Sequence, residues 1–503
     1  MRTSTSRWYA LGALALSTLA IGLDTTILSV ALPTLGRDLH ATTGDLQWFT
    51  NAYLLVLAAA LLPAGMLGDR FGRRRLLLGA LFVFGAASAA CAWSAGTGQL
   101  IAARAALGLG AAVIMPLSGA VLTVLFDGRD RSRALSVWLT ASALGIPLGP
   151  LLGGWLLDNF WWGSVFLINV PLVGIAMAAV AFWVPESHGD RTRRFDLLGV
   201  LLSAAGLVAL TYGIIEAGER GWTDARSLAT MIGGAVLLAA FVRWQQVAKA
   251  PLVDLGLFRS RAFSGGAILA TVASFAMLGL MFALPQFFSA VGGQDAFGSG
   301  LRLLPVIGGL LIGARLADRI AARAGNRAVI GGGLLLMTAA MLLGATTGTG
   351  SAYGFVALWT TMAGIGLGCT LPPSMDAALG ALTPETGGVG NGLLQAVRQV
   401  GGAIGVAVLG TVLNGAYRDH LPATAGEAAR ESASSGVVVA GRAGDAGLLD
   451  AVRTAFTHGM DVSLVTAAAV AAAGAVLAFV LLPARTPVAP LEEDRPVLAE
   501  SGV

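Results

Sequence analysis

Charged side chains are scarce in this chain. Asp, Glu, Lys and Arg make up only 12% of its 503 residues, whereas 56% are hydrophobic, and the mean hydropathy is +0.77. Soluble domains carry about 25% charged residues, so this scarcity excludes an ordinary water-soluble protein and predicts one that lies in a bilayer. The basic residues are spread over short turns rather than gathered in a patch, so we expect no nucleic-acid partner.

Residues that bind metals or form disulfides are also few. The two cysteines, Cys91 and Cys369, lie inside apolar runs, and the four histidines are scattered without ligand spacing, so we expect neither a disulfide framework nor a metal site. The sequence has no phosphate-binding GxxxxGK(S/T) loop, no nucleophile elbow, no HExxH and no paired catalytic carboxylates. We therefore predict that the protein is not an enzyme, has no cofactor and draws its energy from an ion gradient.

Long apolar runs take up most of the chain. Each is near the ~20 residues that a helix needs to cross the hydrocarbon core. The runs are residues 8–32, 47–67, 76–94, 98–126, 134–157, 163–184, 197–216, 227–242, 262–290, 301–317, 328–347, 352–375, 392–414 and 460–482. They predict an all-α integral membrane protein with about fourteen transmembrane helices.

The charged turns between these runs predict the orientation. Arginine-rich turns at 68–75, 127–133 and 186–194 fall on one side of the membrane, and short loops rich in Lys and Arg stay in the cytoplasm. Both termini are then cytoplasmic, 483–503 is a polar tail, and 415–459 is a long extracellular loop. A cleaved signal peptide is excluded because apolar residues continue well past the usual length of its core.

The two halves of the chain repeat each other. Residues 315–325 are a degraded copy of 65–75, with Asp318 and Arg319 in the places of Asp69 and Arg70, and glycine-rich stretches recur at 145–154 and 401–410. We predict two six-helix bundles, 8–184 and 262–482, in parallel orientation, with a two-helix hairpin and connectors at 185–261 inserted between them.

Two ionisable residues fall inside predicted spans. Asp24 lies in the middle of the first, where a charge costs at least ~2.5 kcal/mol and usually faces a cavity or a partner. We predict that it binds and releases protons; packing against a polar neighbour is the alternative. Arg104 lies in the fourth span and cannot lose its proton, so it needs a carboxylate, a carbonyl or water. It either couples to Asp24 or only bonds helix carbonyls.

Several uncharged polar residues, and one further arginine, are candidates to line a cavity. They are Asn51, Tyr53, Asn169, Gln286, Gln395 and Arg398. Hydrogen-bonding side chains in a span usually face the interior of the bundle. For Arg398, anchoring its helix at the membrane interface is an equally good interpretation.

The charged turn after the second span carries a family resemblance. Its residues Gly65, Gly68, Asp69, Arg70, Gly72, Arg73 and Arg74 resemble the loop signature between the second and third helices of the major facilitator superfamily. The resemblance implies that this loop latches one helix bundle against the other. An ordinary positive-inside turn is the alternative.

Three further segments resemble parts of the superfamily's fourteen-span drug:proton antiporters. Residues 23–33 are similar to the first-helix signature, with Ser29 where asparagine is more common, and Arg104 resembles the fourth-helix arginine, although Leu107 replaces a frequent glutamine. The fifth-span motif resembles that of exporters and contains Gly145, Pro147, Gly149, Pro150, Gly153 and Gly154. A generic small-residue helix contact would explain the glycines but not the paired prolines.

The resemblance implies a function. We expect a proton-coupled antiporter in the plasma membrane that exports amphipathic, cationic drugs or natural products while two bundles rock about a central cavity. Asp24 would accept the proton or pair with the drug's charge, Arg104 would be its coupling partner, and the fifth helix a hinge-like packing element. The alternatives are a dedicated exporter of one antibiotic or metabolite and a non-transporting membrane sensor or scaffold. Oligomeric state is left open.

Overall fold

The protein is built from helices. The computed structural model describes residues 4–126, 128–188, 196–382 and 387–482, and these ranges contain no strand. The first half consists of α1 (Ser4–Asp38), α2 (Thr43–Phe71), α3 (Arg73–Ala92), α4 (Thr97–Leu125), α5 (Gly128–Asn159), α6 (Ser164–Leu167) and α7 (Asn169–Trp183). A hairpin of α8 (Leu197–Arg220) and α9 (Ala225–Val247) follows.

The second half begins after a short 3-10 turn at Leu255–Arg259. It consists of α10 (Arg261–Ala290), α11 (Ala296–Arg302), α12 (Leu304–Gly344), α13 (Tyr353–Leu379), α14 (Gly387–His420), α15 (Glu427–Glu431), α16 (Ala433–Ala443) and α17 (Ala446–Leu481). The continuous α12 changes direction at Gly325, whose φ is 80°.

The helix lengths fit a multi-span membrane protein. Thirteen segments within the described ranges are long and apolar enough to cross a membrane, and α12 contributes to two of them, Ala296–Ala321 and Arg323–Gly344. The 32-residue α5 is not among the thirteen and makes the fourteenth long helix. The prediction of an all-α integral membrane protein with about fourteen spans is confirmed.

Each half has its own hydrophobic core. The buried side chains of α1–α7 form one cluster, joined by Phe282, Ala403 and Val406 of the second half. Those of α10–α17 form another, joined by Val30 of the first half. Within the halves α1 packs on α5 and α2 on α4, while α12 packs on α13 and α17. A rocking movement between rigid bodies would need two separately packed bundles, and the division of the chain into two such bundles stays a prediction.

The inserted hairpin lies beside the seam between the halves. Its two helices pack on each other, and α8 also contacts α2 of the first half and α14 of the second. The Thr411 hydroxyl donates to the Ile214 carbonyl at 2.9 Å, and the Asn414 amide donates to the Gly218 carbonyl at 3.3 Å. These hydrogen bonds attach α8 to the second half.

The segment 415–459, predicted as a loop, is largely helical. α14 continues to His420, α15 and α16 follow, and α17 begins at Ala446, well before the predicted start of the last span at 460. Alanine is the best helix former, and the Ser432 and Asp445 side chains cap α16 and α17 by accepting from the Ser435 and Leu448 amides. The polarity of the segment predicted a loop, but these caps and the alanines favour helix.

A carboxylate joins both helices of the hairpin to the connector that follows them. Asp196 accepts hydrogen bonds from the Gly199 amide at 2.9 Å, the Trp244 indole at 2.8 Å, the Gln245 amide at 2.8 Å and the Leu252 amide at 3.4 Å. Burial raises the pKa of Asp196, but these hydrogen bonds outweigh it and hold the pKa below its usual value. Asp196 therefore fixes where the hairpin meets the connector.

We expect Asp196→Asn to loosen this junction. The amide nitrogen of Asn would face the indole or amide N–H of Trp244 or Gln245, and losing a charged acceptor costs about 2 kcal/mol. Hydrogen exchange at the Gly199 and Leu252 amides should accelerate roughly thirtyfold. Asp254→Asn is the matched control, because Asp254 is exposed and caps only the adjacent turn.

The effect of Asp196→Asn on hydrogen exchange should also depend on pH. Because the folded-state pKa of Asp196 is lowered, its stabilisation is complete above the pKa of the unfolded state and is lost as the pH falls through the folded pKa. The difference in protection between wild type and Asp196→Asn should therefore shrink in acid. A difference that grew as the pH fell would contradict this assignment.

Candidate functional site

The two predicted intramembrane charges form a buried ion pair. Arg104 Nη1 lies 2.6 Å from Asp24 Oδ2, and the two side chains are 1% and 0% exposed. The other carboxylate oxygen of Asp24 accepts from Asn169 Nδ2 at 3.2 Å, and the same Asn169 amide also donates to Ser88 Oγ at 3.1 Å. Side chains of α1, α4 and α7 thus meet at one carboxylate, and α3 is linked to it through Asn169.

Arg104 is held on three sides. Besides the carboxylate of Asp24, its Nε donates to the Phe49 carbonyl at 2.9 Å, and its guanidinium lies over the Tyr53 ring, 4.6 Å from the centroid. The two predicted interpretations, pairing with Asp24 and bonding a helix carbonyl, therefore describe the same side chain. An arginine buried without such partners would be strongly destabilising.

A glycine brings the helix of Arg104 close to α2. Gly108 is one turn after Arg104, and a Cβ atom there would lie 2.5 Å from the Tyr53 carbonyl oxygen. Backbone can approach this closely only where a side chain is missing. This contact sets α4 against α2 at the depth where Arg104 reaches the Phe49 carbonyl and the Tyr53 ring.

The glycines of α5 pack on the helix that carries Asp24. A Cβ at Gly145 would lie 2.6 Å from the Gly22 carbonyl carbon, and one at Gly149 would lie 2.0 Å from Thr26 Oγ1. Gly153 makes the same approach to Ile27 one turn later. Thr26 Oγ1 also donates to the Gly145 carbonyl at 3.0 Å. The glycine spacing of four residues therefore forms one face against α1.

The far end of α5 contacts the second half. A Cβ at Gly154 would lie 2.6 Å from Phe297 Cα, and one at Gly300 would lie 2.4 Å from the Pro150 carbonyl oxygen. The Asp158 carboxylate accepts from the backbone N–H groups of Ala296 and Phe297, at 3.2 and 2.9 Å. The side chain of Pro147 lies outside the described residues. One helix thus connects the backbone beside Asp24 to α11.

A cavity of about 310 Å³ lies between the two halves. Of the predicted cavity residues, Tyr53 and Arg398 line it. The described residues that line it are Ile21, Gly22, Thr25, Thr26, Ser29, Tyr53, Leu57, Met115, Ser274, Met277, Leu278, Met281, Arg398 and Gln399. Because Tyr53 both lines the cavity and covers Arg104, its ring separates the ion pair from the cavity.

The remaining predicted cavity residues lie elsewhere. Asn169 binds Asp24, Gln395 accepts from Arg398 Nε at 2.9 Å, and Gln286 donates to the Phe282 carbonyl of its own helix at 2.8 Å. Asn51 is buried and its amide has no partner within the described residues. These residues were predicted to line a cavity because their side chains are polar. Polarity does not tell which face of a helix is turned toward the cavity.

Other site residues were missed. These residues are Ser88, which binds Asn169, and the lining methionines Met115, Met277 and Met281. Such side chains are common in membrane helices, so the sequence does not single them out. The spacing of Met277 and Met281 by one turn was the available signal, since such pairs share a helix face.

The charged turn at 65–75 folds back on the first half. Asp69 pairs with Arg73 at 2.8 Å, Arg73 Nη1 donates to the Ala120 carbonyl at 3.5 Å, and Arg74 donates to the Ala181 carbonyl. Arg70 lies over the exposed Phe71 ring, and a Cβ at Gly65 would meet open space, whereas one at Gly68 would meet Leu117 of α4. These contacts stay within the first half, so the latch toward the second half stays a prediction.

Gly72 makes the turn possible. Its φ is 103°, a conformation that L side chains rarely adopt, and a Cβ there would lie 2.7 Å from Glu186 Oε1. That carboxylate accepts from the Arg74 amide at 3.0 Å. A side chain at this position would therefore strain the backbone and displace Glu186, which joins α3 to the segment after α7.

Comparison with known proteins decides the family. The family model described as Major Facilitator Superfamily matches residues 14–406. The chain belongs to the Major Facilitator Superfamily. The family of this major facilitator consists of transporters.

Relatives of this major facilitator include resistance proteins. The "Tetracenomycin C resistance and export protein" of Streptomyces glaucescens is 31% identical over 94% of this chain and 91% of its own length. "Methyl viologen resistance protein SmvA" of Salmonella typhimurium is 32% identical over 92% and 95%. "Multidrug efflux pump LfrA" of Mycolicibacterium smegmatis is 29% identical over 95% and 96%. Such relatives agree with the predicted drug:proton antiporter resemblance.

Solved structures share the fold. A bacterial homolog of the human lysosomal transporter Spinster, in an inward-facing and occupied conformation, has a TM-score of 0.70 at 17% identity and covers 95% of this chain and 97% of its own. A POT family transporter has a TM-score of 0.64 at 13% identity over 93% and 95%. These similarities show that the chain shares its overall fold with these transporters.

Proposed function

We propose that this transporter is a proton-coupled antiporter that exports amphipathic drugs, antibiotics or related natural products across the plasma membrane. The observation that carries the proposal is the buried Asp24–Arg104 ion pair. Its side chains are 0% and 1% exposed, and it lies beside the cavity between the two halves. The names of the relatives, which include resistance and efflux proteins, support the class of cargo.

Protonation of Asp24 supplies the energetic difference between states. A neutral carboxyl group leaves the Arg104 guanidinium, which stays charged, without its counter-charge, and breaking a buried pair on one side costs about 3–5 kcal/mol. Moving a two-state equilibrium from 1:99 to 99:1 takes about 5.5 kcal/mol. If the ion pair is intact in only one state, one proton on Asp24 supplies most of this free energy and changes the ratio of inward-open to outward-open states by more than about a hundredfold.

The packing of α5 offers a path from Asp24 to the second half. Gly145 contacts α1 just before Asp24 and Gly149 contacts it just after, and Asp158 at the other end of α5 binds the start of α11. A shift of α1 upon protonation of Asp24 would carry α5 with it, because the glycine contacts between the two helices leave no room for one to slide past the other. The loop at 65–75 would then act as the latch on the opposite face.

The hydrogen bonds between the two halves support the proposal that this structure is in an inward-facing state. Among the described residues, the hydrogen bonds that join the two halves lie at the end opposite the 65–75 turn: Gln47 to the Val406 and Ala407 carbonyls, Thr43 to the Glu431 carbonyl, and Asp158 to α11. If arginine-rich turns are cytoplasmic, the closed end is extracellular. Both termini are then cytoplasmic, and 415–459 covers the closed end.

Transport in proteoliposomes tests the proposal. We expect purified protein to move a fluorescent amphipathic dye against its gradient when a pH difference is imposed, and to stop when nigericin and valinomycin collapse both the pH difference and the voltage. Empty liposomes serve as the control. Equal movement of the dye after both gradients are collapsed would refute proton coupling, and no movement under any gradient would favour a sensor or scaffold.

A dedicated exporter of one antibiotic is the second candidate. It is favoured by the relative whose name specifies resistance to a single compound, tetracenomycin C. A susceptibility panel in an efflux-deficient host, with and without an uncoupler, distinguishes the dedicated exporter from the multidrug exporter. Resistance confined to one scaffold would favour the dedicated exporter, and resistance across unrelated scaffolds the multidrug one.

A further inference from the structure

Among the described residues that line the central cavity, one is charged, Arg398. We propose that the cargo is an amphipathic molecule with an anionic or acidic oxygen group, such as a phenolate or carboxylate on a planar apolar body, and that Arg398 binds this group. The inference rests on the proposed export function and specifies its cargo. It replaces the expectation of a cationic cargo.

Arg398 lacks the partner that its charge requires. Its Nε donates to Gln395 Oε1 at 2.9 Å, a neutral acceptor, and none of the ion pairs within the described residues includes it. Arg104, the other arginine at this depth, has a carboxylate, a carbonyl and a ring around it. The Arg398 side chain is partly exposed at the cavity, so its remaining N–H groups are free to bind a carboxylate or phenolate in bidentate geometry.

A second unpartnered donor borders the same cavity. The Tyr53 side chain is 1% exposed, and its hydroxyl has no hydrogen-bond partner within the described residues. A buried hydroxyl left without an acceptor costs about 1–3 kcal/mol. A cargo oxygen within reach of Tyr53 and Arg398 would accept hydrogen bonds from both.

The part of the cavity lining that the structure describes offers no counter-charge to a cation. Asp24 is 0% exposed and is not among the lining residues, and its two oxygens are taken by Arg104 and Asn169. A cationic cargo would have to enter a cavity that already holds the Arg398 charge, and like charges in low dielectric repel strongly. The lining therefore selects against cations and for anions.

The apolar wall fits the body of such a cargo. Met115, Met277 and Met281 line the cavity with Leu57 and Leu278. Thioethers are polarizable, adapt their shape and make favourable contacts with aromatic rings. A cavity of about 310 Å³ is at the small end of the range for drug-sized ligands, which suits a compact polycyclic molecule.

Direct binding of two dyes tests the inference. Fluorescein, an anion at mildly alkaline pH, and rhodamine methyl ester, a cation on the same ring system, are titrated with purified protein in nanodiscs and followed by fluorescence anisotropy. We expect fluorescein to bind at least about tenfold more tightly, which corresponds to about 1.4 kcal/mol. Arg398→Gln should remove this preference, and Arg398→Lys should keep part of it because the charge remains but the bidentate geometry is lost.

Controls keep the test separate from folding and transport. Arg453→Gln makes the same substitution at a partly buried arginine outside the cavity, whose Nε binds the Ala290 carbonyl, and it should leave both affinities unchanged. Thermal unfolding of each variant confirms a folded protein. Equal affinity for the two dyes, no binding of fluorescein, or fluorescein binding unaffected in folded Arg398→Gln would overturn the inference. Because no gradient is applied, loss of proton coupling would not change these results.

Discussion

Asp24→Asn should abolish pH-driven efflux and destabilise the protein. The amide cannot carry a proton through the cycle, and it leaves the Arg104 guanidinium buried at 1% exposure without the carboxylate that lies 2.6 Å away. Removing one partner of such a pair costs about 3–5 kcal/mol. Dye transport in proteoliposomes under an imposed pH difference and thermal unfolding of the same preparation measure the two effects.

A double variant separates the two effects. In Asp24→Asn with Arg104→Gln both charges are gone, and a neutral pair in the same space is often as stable as the ion pair. We expect unfolding to return close to wild type while transport stays absent. Asp224→Asn is the matched control, because Asp224 caps α9 through the Arg226 and Ser227 amides and Asn caps a helix equally well. Undiminished pH-dependent efflux by Asp24→Asn would remove Asp24 from the mechanism.

Ionisable residues were the part of the site that the sequence revealed. Asp24 and Arg104 stood out because an apolar span tolerates a charge only where a partner or a cavity offsets its cost, and the structure places them in contact. Asn169, which binds the second oxygen of Asp24, was predicted only as a cavity residue. The partner of a neutral amide depends on side-chain directions in three dimensions, which the apolar periodicity of a membrane helix does not encode.

The polar segments were harder to predict than the spans. Hydropathy identifies a span because lipid forces the backbone to form helix. Outside the hydrocarbon core this constraint is lost. The polar segment 415–459, predicted as a loop, therefore contains α15 and α16. The turn at 65–75 is recognisable from its residues, yet its contacts with Ala120 and Ala181 of the same half depend on helix packing that the residue pattern does not encode. Sequence patterns describe elements better than the states between which they move.

The glycine face of α5 gives the second large effect. A Cβ at Gly145 would lie 2.6 to 2.7 Å from backbone atoms of Gly22 and Leu23, and backbone cannot turn aside as a side chain can. We expect Gly145→Ala to push α5 from α1, to destabilise the protein by about 1–3 kcal/mol and to lower dye efflux at least about tenfold. Gly174→Ala in α7 is the control, because its Cβ would meet nothing within 4 Å.

Gly149 distinguishes a steric contact from a general need for small residues. There the nearest atom is a side-chain oxygen, Thr26 Oγ1, at 2.0 Å, with the Ile27 amide nitrogen next at 3.0 Å. Thr26→Ala should therefore restore most of the stability lost in Gly149→Ala, whereas no side-chain truncation on α1 should rescue Gly145→Ala, because its clash is with backbone. Thermal unfolding of the single and double variants measures this. Equal rescue at both positions, or at neither, would mean that the α5 glycines serve something other than close contact with the helix of Asp24.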